Sequence, residues 1–317
     1  MFNLNRNKTL MAVIVLSAAV TYLLIGSSNW NDPWIRCTQT SNCHNGPIDW
    51  AVQSVDDLTL DQITAYLSWT NKSSCRLALY FGGKVLYDYV DCQRAVCLDM
   101  AVIPELPSEE FYWVSGASVN GVVVDYTKCL VYSFGIHNEW SFDEDMEKFG
   151  CHVYSFDPAM NSINHNRTSK IHFYNLGLGD RDETWHNDSK KNWTMKSLDS
   201  IYNNLLQHQG RIIDYLKLDI EFSEFIALPQ ILASGMMDRV RQLGVEVHLD
   251  NMNEINSSLK KIRDRVNVIK SLEDYGLVRF DSVPSPWSDY ESVVDGVVWN
   301  EYTAYDMAWY NPKLVRS

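Results

Sequence analysis

The chain has 317 residues, of which 46% are apolar and 21% charged. This composition can bury a sizeable core and excludes disordered, collagen-like and coiled-coil readings. Its 27 basic residues face 40 acidic ones, a formal charge of −13. That balance argues against a nucleic-acid partner, because phosphate neutralisation needs Lys and Arg gathered on one face.

The chain opens with Arg6 and Lys8, followed by an uncharged run from Leu10 to Ile25 and then Gly26, Ser27 and Ser28. As a helix the run spans about 24 Å, slightly short of a bilayer core of about 30 Å. Residues 1–28 are expected to be the signal anchor of a single-pass type II membrane protein, with the Golgi as its compartment. A signal peptide cleaved after the small residues, releasing a secreted protein, is the alternative, and a buried soluble helix is a third reading. On either of the first two, the positive flank keeps the N-terminus cytoplasmic and sends the rest into the secretory lumen. The N-x-S/T sequons at Asn71, Asn166, Asn187, Asn192 and Asn256 agree with a lumenal glycoprotein. Most of the seven cysteines should pair there. Cys37 and Cys43 are placed to bridge each other, and Cys151, just ahead of an apolar run, is expected as a buried free thiol. Zinc binding lacks the paired Cys-x-x-Cys spacing it would need.

Residues 29–74 read as a stem and helical lead-in, with a helix over Asp57–Thr70. The main domain is expected over 75–317, and Cys75–Val124 shows no clear regular structure. Beyond Cys129 the pattern becomes strand, turn, helix. Strands are expected at Leu130–Phe134, Val153–Phe156, Ile171–Tyr174, Tyr215–Leu218, Val245–Leu249, Leu277–Phe280 and Tyr302–Trp309. Helices are expected at Phe142–Phe149, Ser197–His208, Phe222–Ala233 and Ile255–Tyr275. The fold class is therefore α/β, with a seven-stranded, mostly parallel sheet whose ligands sit at the carboxyl ends of the strands.

The segment Val131–Met146 carries the most chemistry. Gly135 ends a strand, and lacking a Cβ it lets the backbone come close to a cofactor. The segment is neither G-x-G-x-x-G nor a Walker loop. The acidic turn Asp143-Glu144-Asp145 would repel a phosphate at that helix N-terminus, so a phosphate-free cofactor with a positive centre fits better. Asp157 ends the next strand, where a carboxylate can accept both hydroxyls of a ribose; an ordinary strand-end turn is the alternative, and the spacing from Gly135 favours the ribose. His137 is either a second base or an exposed loop residue.

These runs, with Tyr215–Glu224 and Gly244–Leu249, resemble the methyltransferase-like protein 24 family, which is related to the FkbM-type methyltransferases. The resemblance covers roughly Cys75–Pro312 and is densest from Cys129 to Leu249. It implies a class I, Rossmann-like methyltransferase fold that binds S-adenosylmethionine (SAM). On that resemblance Gly135, with Ser133 and Glu139 near it, holds the methionine end. Asp157, followed by Pro158, takes the ribose, and Gly177 and Asp180 lie where the fold lines the adenine. Phe222 departs from the pattern, because FkbM-type proteins usually have Gly there; its bulk is expected to narrow the site.

Asp219 and Glu221 are the candidate bases for a hydroxyl acceptor, and His248 is a third catalytic candidate. Glu246 and His248 alternate on one strand and so share a face. With Asp219 they form a donor set for a divalent cation, although such a pair is more often a satisfied polar patch, and no metal is assigned. The sequence thus points to a secretory SAM-dependent methyltransferase acting on a hydroxyl or carboxyl of a small molecule, glycan or glycoprotein, with the membrane touched only by the N-terminal segment. Two rivals remain. One is a methyltransferase fold that binds without catalysing. The other is a lumenal glycosyltransferase, for which Asp143/Asp145 and Asp180/Asp182 supply the letters of an Asp-x-Asp site.

Overall fold

A computed structural model describes residues 50, 53–71, 74–75, 78–82, 84–86, 89–91, 93–97, 118–119, 122–123, 129–186, 192–250, 257–286, 288 and 291–314. The chain divides into two units, Met1–Ile48 and Asp49–Ser317. The expected anchor over 1–28, Cys37, Cys43, Cys92, Asn187 and Asn256 lie outside the described residues. Among the described residues, no helix is long and apolar enough to cross a membrane.

In chain order the elements that build the site are α1 (Leu60–Ser68), β1 (Ala78–Phe81), β2 (Arg94–Cys97), β3 (Leu130–Phe134), α2 (Ser141–Lys148), β4 (His152–Phe156), β5 (His165–Asn166) and β6 (Ile171–Tyr174). They continue as β7 (Ile213–Leu218), α3 (Glu224–Ala233), β8 (Val240–His248), α4 (Leu259–Asp274), β9 (Val278–Pro284) and β10 (Ala304–Tyr310). The main sheet has the order β9-β10-β8-β7-β3-β4-β6-β5. All seven expected strands lie in it, with the two-residue β5 added at one edge. It is a mixed sheet. The pairs β8/β7, β7/β3, β3/β4 and β4/β6 are parallel, whereas β10 runs antiparallel to both β8 and β9, and β5 antiparallel to β6.

The chain enters this sheet at β3, winds outward through β4 and β6, then returns to β7 on the other side of β3. Strand order therefore reverses between β3 and β7, and the crevice above such a reversal is where open α/β sheets bind ligands. Leu218 pairs with Phe134, so the two carboxyl ends lie level.

Burial on both faces explains why β3 is apolar but for Ser133, whose hydroxyl is satisfied by Asp143. Leu130, Tyr132 and Phe134 point to a core shared with α1, α3 and α4, and Val131 points to one shared with α2 and the β1–β2 hairpin. The lead-in helix belongs to this core. Ile63, Tyr66 and Leu67 of α1 are buried in it, and the Tyr66 hydroxyl donates to Glu273 at 2.8 Å.

Among the described residues two disulfides are present, Cys75–Cys97 and Cys129–Cys151. The second corrects the expectation of a free Cys151. Leu130 pairs with His152 across β3 and β4, so the residues just before each strand stand side by side. The first disulfide closes off β2, and the Gln242 side chain clamps the Cys97 backbone at 2.8 and 3.0 Å. Together they fix the strand that carries Arg94.

Candidate functional site

Gly135 begins the loop from β3 to α2 in a left-handed conformation, φ +73°. A Cβ there would stand 1.5 Å from the Asp219 carbonyl oxygen. The glycine is thus demanded by the close approach of β7, and the space its missing Cβ leaves is filled by protein, not by a cofactor. Its N–H donates to the Phe156 carbonyl at 2.9 Å, and its carbonyl accepts from the buried Lys217 Nζ at 2.9 Å. His137 and Asn138 also have positive φ, 40° and 62°, a pattern of local strain that gathers at functional sites.

Asp157, at the tip of β4, is buried. One carboxylate oxygen accepts from the His137 N–H at 2.8 Å and the other from the Ala159 N–H at 2.7 Å. Each oxygen has capacity for a further bond, so the residue both shapes the loop and can receive a diol. His137 is itself exposed and contributes its backbone. Pro158 lies against Gly177, where an added Cβ would approach its ring to 3.1 Å, and this joins the loops after β4 and β6.

Three expected cofactor residues are used otherwise. The buried Ser133 hydroxyl donates to Asp143 at 3.2 Å. Glu139 accepts from the Ser141 N–H and hydroxyl at 3.1 and 2.7 Å, capping the start of α2. Asp180 pairs with Arg181 at 3.2 Å on the surface.

The acidic turn is likewise structural. Asp143 is fully buried and also accepts from the Ser155 hydroxyl; burial raises its carboxyl to about 6 against the pull of these bonds and of Lys217. Asp145 accepts from the Gly82 N–H at 2.9 Å. Asp182 holds Lys196 and Ser200 at 2.8 and 2.7 Å. In the first Asp-x-Asp pair Asp143 is buried out of reach, and in the second each carboxylate is paired with a cation, Asp180 with Arg181 and Asp182 with Lys196.

Asp219, Glu221 and His248 do come together, with one potential ligand atom from each lying within 4.8 Å of the others. Beneath them Arg94, 2% exposed, reaches Asp219 at 3.4 Å, Glu246 at 3.1 Å and Asp306 at 2.8 Å. Lys217 stands 3.8 Å from Asp219. Two cations thus serve three carboxylates. Burial and the neighbouring Glu246 push Asp219 up to about 6. Burial, with Glu246 and Asp219 opposing Arg94, pushes Asp306 up to about 7. Glu246 is itself buried, but Arg94, His248 and the Ser285 hydroxyl outweigh that burial and hold it below the usual range.

For His248, burial disfavours the charge, yet the Glu224 hydrogen bond and the carboxylates of Glu224, Glu246 and Asp219 push it up to about 9. Glu246 and His248 do share a face, with His248 Nε2 4.0 Å from Glu246. Glu246 is nevertheless spent on Arg94 and Ser285, so Glu221 takes its expected place beside Asp219 and His248. Glu221 and Phe222 are both left-handed, φ +50° and +69°. A glycine would adopt that second conformation freely; here the Phe222 ring is held 5.3 Å from His248 and 4.6 Å from the Arg265 guanidinium.

Sequence reasoning missed Arg94, Lys217, Glu224 and Asp306. Lys217 had a signal, since a lysine inside an apolar strand run is seldom buried without a partner. Arg94 had none, because its carboxylates lie more than a hundred residues away.

An open sheet with its order reversal, an acidic second strand tip and carboxylates over the central strands define an α/β protein with a crevice at the carboxyl ends of its parallel strands. The methyltransferase domain family profile matches residues 113–291, and the chain belongs to that family. It is 24% identical over 196 residues to the human "Probable methyltransferase-like protein 24", covering 59% of this chain and 51% of the human one. The Rattus norvegicus protein of the same name is 24% identical over 193 residues, with 59% and 51% covered. The resemblance to the methyltransferase-like protein 24 family therefore holds, and the chain spans about half the length of these curated relatives. A solved structure named "Putative hemolysin from Streptococcus thermophilus" aligns at 12% identity with a TM-score of 0.33, over 60% of this chain and 62% of that one.

Proposed function

We infer that the protein is a SAM-dependent methyltransferase of the secretory pathway, acting on a hydroxyl or carboxyl of a small molecule, glycan or glycoprotein. The observation that carries the reading is Asp157 at the strand tip beside the reversal, with acceptor capacity left after binding the His137 loop. SAM, when bound, supplies a methyl group on a cationic sulfur. The carboxylates of Asp219, Glu246 and Asp306, only partly balanced by Arg94 and Lys217, suit a positive centre above β7 and β8. Asp219 is anionic at neutral pH, and its raised carboxyl makes it the better matched base for an acceptor proton. Glu221, 80% exposed at the mouth, is the second. His248 carries its own proton at neutral pH and so orients and charges the site instead of removing a proton.

Two disulfides support an oxidising compartment, as do exposed sequon asparagines at 71, 166 and 192. The uncharged run Leu10–Ile25 supplies the route there, as an anchor or a cleaved signal. The test is transfer of labelled methyl from SAM to glycan, glycoprotein and small-molecule acceptors by the full-length protein. Transfer lost in Asp219→Asn supports the reading. Phe222, packed over His248, favours a second reading, a binding protein without turnover; SAM binding with no transfer to any acceptor class would select it.

A further inference from the structure

We propose that Asp219, Glu221 and His248 form a site for a divalent cation of the Mn2+ type, with Glu224 as its buried support. The starting point is the orientation of His248. A carboxylate only accepts hydrogen bonds, so the 3.0 Å contact from His248 Nδ1 to Glu224 Oε1 places the proton on Nδ1. The same oxygen receives the His248 backbone N–H at 2.9 Å. The ring is therefore pinned twice, and Nε2 points toward Glu221, 3.7 Å away. A buried carboxylate holding the far nitrogen of a histidine is the arrangement that fixes metal-ligating imidazoles.

Glu224 gives a second, separate indication. Its side chain is 0% exposed, and its Oε2 has no hydrogen-bond partner among the described residues. A buried carboxylate half unsatisfied calls for positive charge close by; without a metal the second proton of His248 supplies it, and a dication binding at Nε2 releases that proton and takes its place. Asp219 meets Arg94 and Lys217 through Oδ2, which leaves Oδ1 for the cation. Two carboxylate oxygens and one imidazole form a mixed oxygen–nitrogen set, which suits a first-row dication rather than the thiolate-bound metals or the all-oxygen shells of Mg2+ and Ca2+, and Mn2+ is the member of that class whose binding can be read directly. Three protein ligands leave coordination positions for two adjacent oxygens of an acceptor, and a cation there would acidify a hydroxyl that Asp219 or Glu221 would otherwise deprotonate directly. The site goes beyond methyl transfer and stands without it.

The test is titration of Mn2+ into EDTA-stripped full-length protein, following the electron paramagnetic resonance signal of free Mn2+, with no methyl donor present. One Mn2+ per chain is expected. Affinity should fall at least about ten-fold in Glu221→Gln, and about ten- to a hundred-fold in Glu224→Gln. Asp264→Asn, on the exposed face of α4, should leave it unchanged. Glu221 is 80% exposed, so its replacement does not threaten the fold. Binding by Glu221→Gln as tight as wild type, or no stoichiometric binding up to about 1 mM Mn2+, overturns the site. Mn2+ binding by a protein that ignores SAM would overturn the methyltransferase reading and leave the cation site standing.

Discussion

Gly135 and Asp219 meet backbone to backbone: a Cβ on the glycine would lie 1.5 Å from the Asp219 carbonyl oxygen. One contact therefore sets the spacing of the two strand ends over which any ligand must sit. Gly135→Ala adds the left-handed strain of φ +73° to that collision. It should lose at least about 2 kcal/mol in urea denaturation. An unchanged midpoint would show that the two loops do not pack this way.

Arg94→Met removes the cation shared by Asp219, Glu246 and Asp306 and leaves their charges uncompensated in a buried setting. Breaking a pair of this kind costs about 3–5 kcal/mol. The loss should be greater at pH 8 than at pH 5, where protonation relieves the repulsion. A pH-independent loss would mean that Arg94 matters only through packing.

Asp143 gives a pH dependence of defined sign. Its folded carboxyl sits near 6, above an ordinary value of about 3.9, so the folded state holds the proton more tightly. Its contribution is full below pH 4 and lost as pH rises through 6, at about 1.4 kcal/mol per unit of difference. Comparing Asp143→Asn with wild type isolates this group from Asp219 and Asp306, which titrate nearby. The variant should show a flatter stability profile between pH 4 and 7, and a parallel profile would contradict the assignment.

The Cys129–Cys151 bridge ties β3 to β4 across a sequence separation of 22 residues. Replacing both cysteines by Ala should cost about 2–4 kcal/mol. Peptide mapping without reductant checks the pairing first; free thiols at both positions would contradict it.

The strands Leu130–Phe134 and Ile171–Tyr174 were legible to the residue because turn-forming residues bound each apolar run. The start of β8 was not. Arg241 and Gln242 interrupt the apolar pattern, and only the fold shows that Arg241 meets Asp214 at 3.0 Å while Gln242 clamps Cys97. The same limit hid the site's lower half. Asp157 and Asp219 were readable as strand-end acids, but Arg94 lies in a four-residue strand with nothing local to mark it. Gly135 was found for the wrong reason, since composition cannot tell an approach to a cofactor from an approach to Asp219. The departure at Phe222 was readable, but that it occupies a left-handed position was not.

The central claim is that the crevice above β3 and β7 binds SAM through Asp157. Calorimetric titration of SAM into the full-length protein, beside Asp157→Ala and Asp157→Asn, tests it most directly. The account predicts one SAM per chain for wild type, affinity at least about ten-fold weaker in Asp157→Asn, for the loss of one charged acceptor, and no measurable binding in Asp157→Ala. A folded wild-type protein that takes up no SAM, or one that binds it equally well without the Asp157 carboxylate, would contradict it.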